Sequence, residues 1–199
     1  MKKIIMLAAV AAFTLASPAM AAKDGKLSKN NSVGKLDITA VIPPMVRVSG
    51  LDDLRINVTP ADLLNPYFNR QDAETKFCVY SNINAEGEYN ITVDGDAAGP
   101  NSNGSPFALS GAGGKLNYAV WVSDDVNNGF RSAGSGWTYP GYTHTGYKTT
   151  AGGLARPASI SCSDVGENAA LHIGIDNSQI LAAQAGKYKG TLTVTVSTI

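Results

Sequence analysis

The stretch GKLDITAVIPPMVRVSG, residues 34–50, governs how the rest of the chain is read. Leu36, Ile38, Ala40 and Ile42 alternate with Lys35, Asp37, Thr39 and Val41, the period of two expected of a strand with one apolar face. Pro43-Pro44 then removes two backbone donors and fixes two φ angles. MVRVSG resumes as a second short strand. A strand is made here and at once set apart from the domain behind it, and that separation asks for a reason.

The amino terminus bears on the compartment. MKKIIMLAAVAAFTLASPAMAA joins two lysines, an apolar run from Ile4 to Leu15 and a small-residue cleavage site at Ala19-x-Ala21. This is the pattern of a secretory signal peptide over residues 1–21. The run is short for a bilayer span, which weighs against a retained anchor, and no other segment is apolar enough to cross. The expectation is a bacterial chain exported to the periplasm or beyond, with no membrane span in its mature part. Lysine plus arginine and aspartate plus glutamate stand at 16 each, leaving no net field to recruit nucleic acid or an anionic membrane. The two cysteines, Cys78 and Cys162, default to one structural disulfide in an oxidising compartment. Two free thiols or a catalytic cysteine are the alternatives. A bridge would close a loop of more than eighty residues, for which chain entropy gives about 4–5 kcal/mol.

Residues 22–33, AKDGKLSKNNSV, are polar and are expected to move until something holds them. LDDLRINV alternates like a strand. KFCVYSN and GEYNITVDG, joined by the INAEG turn, read as a β-hairpin, with Tyr89, Ile91 and Val93 on one side. KLNYAVWVSDD places Leu116, Tyr118, Val120 and Val122 on one face and Ala119 and Trp121 on the other. ASISC and ALHIGI read as strands, the latter with Leu171, Ile173 and Ile175 inward and His172 in solvent. In KYKGTLTVTVSTI, Tyr188, Leu192, Val194 and Val196 alternate with threonines as one final strand. Helical signals are confined to ADLLNPYF and to NSQILAAQAG, where Ser178 would cap a turn ending at Gly186. Short strands, Gly/Asn/Asp turns and little helix predict an all-β, immunoglobulin-like sandwich in one domain.

Two long loops carry a plain and a sharper reading each. VDGDAAGPNSNGS holds Asp94, Asp96, Asn101 and Asn103, oxygen ligands of the kind calcium takes, but without EF-hand spacing, so an ordinary turn is the plainer reading. SGWTYPGYTHTGY gathers Trp137, Tyr139 and Tyr142 with Tyr147, rings that either contact a ligand or pack onto the sandwich itself. Catalytic constellations are not discernible. His144 and His172 have no HxH or HExxH partner, and neither GxSxG nor a phosphate-binding glycine loop occurs. Asp124-Asp125 would point to opposite faces of a strand. The chain reads as a non-enzyme with no cofactor and no metal.

The final strand has nothing after it in the sequence to cover its apolar face, which would leave an open edge and groove. The spare strand of residues 36–42 stands in front. One strand lacking and one to spare is the arithmetic of donor-strand complementation. With GKLDITAVIPPMVRVSGL in front, KFCVYSN with GEYNITVDG, KLNYAVWVSDD in the middle and AGKYKGTLTVTVS last, the mature sequence resembles chaperone–usher pilus subunits of the alternative, spore-coat-U-like type. Gly186, thirteen positions before Ile199, stands where such pilins tend to carry glycine; Thr198 replaces a frequent tyrosine, and Met45-Val46 a frequent cysteine.

The resemblance implies an N-terminal extension (22–44) bearing the donor strand, and a pilin sandwich (45–199). Leu36, Ile38, Ala40 and Ile42 would be donated to a neighbouring subunit. Tyr188, Leu192, Val194 and Val196 would line the acceptor groove, first occupied by a periplasmic chaperone and exchanged at an outer-membrane usher. Copies of itself or other pilins would join head-to-tail in a surface fimbria for adhesion or biofilm formation. The competing reading is a complete, monomeric, secreted carbohydrate-binding sandwich that uses Trp137, Tyr139 and Tyr142.

Overall fold

Alternation becomes pairing wherever a strand finds two neighbours, and in the long central strands it does. The computed structural model describes residues 23–64, 69–95, 107–127 and 135–199. The signal-peptide reading, the end of ADLLNPYF and the oxygen-rich loop beyond Gly95 lie outside the described residues. The chain divides into two units, 1–42 and 43–199.

In the first unit, Lys23 and Lys35 form an isolated antiparallel bridge with backbone bonds of 2.9 Å each way. Residues 36–42 hold no strand pairing, and Leu36, Ile38, Ala40, Val41 and Ile42 are exposed. A strand exists only with a partner for its ladder, so an alternating sequence without one stays irregular.

The second unit is an antiparallel β-sandwich. The larger sheet runs β1 (Val46–Ser49), β2 (Arg70–Ser81), β8 (Ala169–Asp176), β5 (Gly114–Ser123), β4 (Phe107–Gly111) and β9 (Tyr188–Lys189), with β6 (Ser135–Thr138) also on β5. The smaller sheet runs β10 (Leu192–Ser197), β3 (Glu88–Gly95) and β7 (Tyr142–Lys148). Phe77, Val79, Tyr89, Ile91, Val93, Phe107, Val120, Val122 and Leu171 form the centre of the core. Leu116, Tyr118, Val120 and Val122 point inward as their alternation predicts. Where β8 stops pairing with β2, Asn168 continues the ladder with its side chain: Oδ1 accepts from Val79 N–H and Nδ2 donates to Val79 C=O, both at 2.8 Å. The disulfide Cys78–Cys162 is formed, with Cα atoms 5.8 Å apart.

Several expectations need correction. KFCVYSN and GEYNITVDG are no hairpin: β2 and β3 belong to different sheets, and the connection between them arches over the core. Gly87, at φ +63°, lets that arch pass against the buried Thr149, whose hydroxyl a Cβ would strike. ASISC is a turn, not a strand. The Asp164 carboxylate accepts from Ala158 and Ser159 N–H at 2.7 and 3.2 Å, and Cys162 takes φ +51°. SGWTYPGYTHTGY is no loop either, since β6 and β7 occupy most of it and lie in different sheets. KYKGTLTVTVS breaks after Lys189, so Tyr188 sits on β9 of the larger sheet while Leu192, Val194 and Val196 sit on β10 of the smaller.

LDDLRINV forms no strand, though Leu54 and Ile56 are half-buried against the core. Helix α2 (Asn177–Ala182) starts from Asp176 and ends before Gly186; helix α1 is Pro60–Leu64. Asp124 and Asp125 lie past the end of β5, where Asp124 accepts from Lys148 N–H at 2.9 Å. His172 is buried, with Nδ1 3.5 Å from Glu74. Arg70 covers the outer face beside it, its guanidinium 4.5 Å from the Trp121 ring centre, so the side taken for solvent is lined with side chains.

Candidate functional site

Strand β10 pairs with β3 over its whole length, which sets Val194 opposite Val93 and Val196 opposite Ile91. Val93 and Ile91 are 0% and 1% exposed, yet Leu192, Val194 and Val196 on the same inner face are only half-buried. Burial therefore falls off at the edge strand itself. Strand β1 lies beside β10 in the opposite sheet without a ladder between them. It pairs only with β2, and Val46 and Val48 are half-buried too. Among the described residues no strand takes up the outer edge of β1 or of β10.

Between them lies an apolar seam walled by Val46 and Val48 on one side and Leu192, Val194 and Val196 on the other. Both edges carry backbone groups open to a ladder. Asn82 fixes the start of this wall. Its Oδ1 accepts from Met45 N–H at 2.6 Å, its Nδ2 donates to Pro43 C=O at 3.0 Å, and its own N–H reaches Met45 C=O.

Of the residues singled out from sequence, Leu192, Val194 and Val196 are brought together on this seam. Tyr188 is not among them: on β9 its hydroxyl donates to Gln184 C=O at 2.9 Å. Val46 and Val48 were legible as a strand but not as a wall of the groove, a role that depends on a sheet edge lying beside β10. A shallow depression elsewhere, among Asp52, Asp53, Glu74 and Glu167, is acidic and open. Among the described residues no group of three metal-ligating side chains gathers there or anywhere else.

Trp137, Tyr139 and Tyr142 stand at the corner where β6 passes into β7. Tyr142 N–H closes the turn onto Tyr139 C=O at 3.0 Å, and Gly141 N–H reaches Val93 C=O at 2.9 Å. The rings continue inward as a ladder through His144 and Tyr147 to the buried Tyr89, with neighbouring centres 4.7 to 6.2 Å apart. Gly136 makes room for it, since a Cβ there would collide with the His144 ring and the Tyr147 hydroxyl.

Burial holds His144 below the usual histidine range; it does the same at His172, where Glu74 opposes it. A folded state that takes up a proton less readily than the unfolded chain loses stability as pH falls through the unfolded value of 6.5. Thermal unfolding should therefore give a lower Tm at pH 5.5 than at pH 7.5, with a smaller gap in His144→Gln. Identical midpoints across that window would contradict the burial argument. Asp124, whose carboxyl burial pushes upward, acts in the opposite sense.

Comparison with known proteins adds little to this geometry. No family model matches the sequence, and no curated protein matches it. Among solved structures, a chaperone–tip adhesin complex described as vital for synergistic activation of CFA/I fimbriae biogenesis is similar, with a TM-score of 0.46 and 12% identity. The likeness covers 76% of this chain and 41% of that one, so the protein spans less than half the length of the chain it matches.

Proposed function

We propose that the protein is a structural pilin subunit that polymerises head-to-tail by donor-strand exchange. The observation that carries this reading is the drop in burial along one seam, where Val194 and Val196 stay half-exposed while their ladder partners Val93 and Ile91 are fully covered. β1 and β10 lie closer together than the roughly 10 Å that a strand paired to both requires, so an incoming strand would part the two edges, complete both ladders and cover five apolar side chains at once. Residues 36–42 have the matching character, with Leu36, Ile38, Ala40 and Ile42 at every second position and the larger side chains in water. Fully burying a leucine or isoleucine is worth about 1.5–3 kcal/mol. Pro43-Pro44 cannot continue a ladder on both sides, so the prolines separate what is given to the next subunit from what stays.

Head-to-tail donation is a heterologous contact and generates an open fibre. On this reading a periplasmic chaperone fills the seam during export and an outer-membrane usher catalyses the exchange. The assembled subunits then lie at the bacterial surface in a fimbria for adhesion or biofilm formation.

Cysteine pairing across subunits tests it. One preparation carries Val194→Cys, and others carry cysteine singly at Leu36, Ile38, Ala40 or Ile42. Mixing and mild oxidation should give a covalent dimer on a non-reducing gel at one or two alternate positions of the four. Equal, weak crosslinking at all four, or none, contradicts the proposal.

A further inference from the structure

We infer that the corner between β6 and β7 is a stacking site for a neutral, twisted glycan chain. Trp137 leaves 54% of its surface in water and Tyr142 39%, with the half-buried Tyr139 between them. The ring centres follow at 6.2 and 4.7 Å, so the three form one continuous aromatic strip. The strip is preformed. Tyr142 is buttressed edge-on by His144 at 4.7 Å, and His144 lies against Tyr147 at 5.5 Å, whose hydroxyl donates to Val122 C=O at 3.3 Å. Rings held in place before a ligand arrives lose little freedom on binding.

The chemistry around the strip selects the ligand. Residues 137–147 contain no aspartate, glutamate, lysine or arginine, and the charge beside them is Arg70, held over Trp121, the ladder partner of Trp137. The polar groups beside the rings are the tyrosine hydroxyls and the exposed Thr145, while Thr143, paired with Thr92 Oγ1 at 2.7 Å, faces the other side of β7. A surface of ring faces and neutral hydroxyls complements a molecule with C–H faces and neutral hydroxyl edges, which is a pyranose. A standard protein interface buries about 800 Å² a side in all. The strip is narrow.

Its curvature narrows the choice again. Trp137 is tilted 57° from Tyr139, and Tyr139 46° from Tyr142. A flat crystalline glycan would meet one ring at a time, whereas a helically twisted chain can present successive sugars to successive rings. Tyr142 lies on β7, the edge of the small sheet opposite the β10 edge that forms the seam, and Trp137 on β6 of the larger sheet, so a filled seam leaves the strip accessible.

The test uses the full chain titrated with laminarihexaose and with maltohexaose, followed by tryptophan emission and by calorimetry per subunit. Light scattering on the same samples reports polymerisation, so failure of fibre assembly and failure of sugar binding register separately. Saturable binding to at least one hexasaccharide is expected. Trp137→Ala and Tyr142→Ala should each weaken it about tenfold, while Trp137→Tyr and Tyr142→Phe keep most of it. Unchanged melting of the variants shows that the corner still folds. Three results would overturn the inference: no binding at millimolar sugar, equal affinity in Trp137→Ala, or preference for crystalline cellulose or a sulfated polysaccharide.

Discussion

Aspartate at both Ile38 and Ile42 will leave the protein unable to form fibres while its melting behaviour as a separate subunit is unchanged. In the proposed polymer these side chains enter a seam walled by Val46, Val48, Leu192, Val194 and Val196. A carboxylate buried there without a partner costs several kcal/mol. Two such groups weaken each subunit contact by more than about a thousandfold, enough to remove assembly at any practical concentration. In the unassembled chain Ile38 and Ile42 are 86% and 75% exposed, so the same changes replace surface with surface.

A second arrangement tests the other half of the contact. A copy of residues 34–44 joined by a flexible linker behind Ile199 should fill the seam within one chain, giving monomers with a raised Tm. Size-exclusion chromatography with light scattering reads both. The reading fails if the double aspartate variant still polymerises. It also fails if the unaltered protein is a heat-stable monomer whose residues 36–42 resist hydrogen exchange, which is how a self-contained carbohydrate-binding sandwich would behave.

The inner faces of β3, β5 and β8 were readable because each alternates over enough residues for one register only: Tyr89, Ile91 and Val93, or Leu116 through Val122, cannot slip by one without exposing the whole set. Which strand pairs with which was not readable in the same way. INAEG suits a hairpin as well as an arch, and the choice falls to β8 and β7, distant in sequence, which take β2 and β3 into opposite sheets. The break between Tyr188 and Leu192 has the same origin. The alternation runs straight through Gly190, but β4 captures one end and β3 the other.

The period of two says which side His172 faces and nothing of what covers that side. Here Arg70 stacked on Trp121, with Glu74 beside His172, does the covering. For the candidate groove, the Leu192, Val194 and Val196 wall follows from alternation. The Val46 and Val48 wall needed the sheet order, since adjacency of β1 to β10 is a property of two sheets closing on each other.

Removing the disulfide is the second change of large expected effect. Residues 154–167, between the short 3₁₀ turn at Ala151–Gly153 and the start of β8 pairing, contain no strand, and the ladder to β2 begins only with Asn168 at their far end. Local bonds shape the turn: Cys162 C=O accepts from Val165 and Gly166 N–H at 3.2 and 2.7 Å, in a left-handed conformation that a non-glycine residue holds only at some cost. Its docking to β2 depends on the bond to Cys78, which spans 84 residues. A loop of that length gives the unfolded chain much freedom once the bond is cut, and loss of a native disulfide typically costs about 2–5 kcal/mol. For a domain of this size each kcal/mol shifts the midpoint by about 2–4 °C. Cys78→Ala with Cys162→Ala should therefore lower Tm by about 10 °C, and proteolysis should cut first within 154–166. Dithiothreitol should bring the unaltered protein to the same midpoint and leave the double variant where it was. A drop of only a degree or two would mean that the turn is held by its own hydrogen bonds and by Asn168 on β2, with the covalent link redundant in the folded subunit.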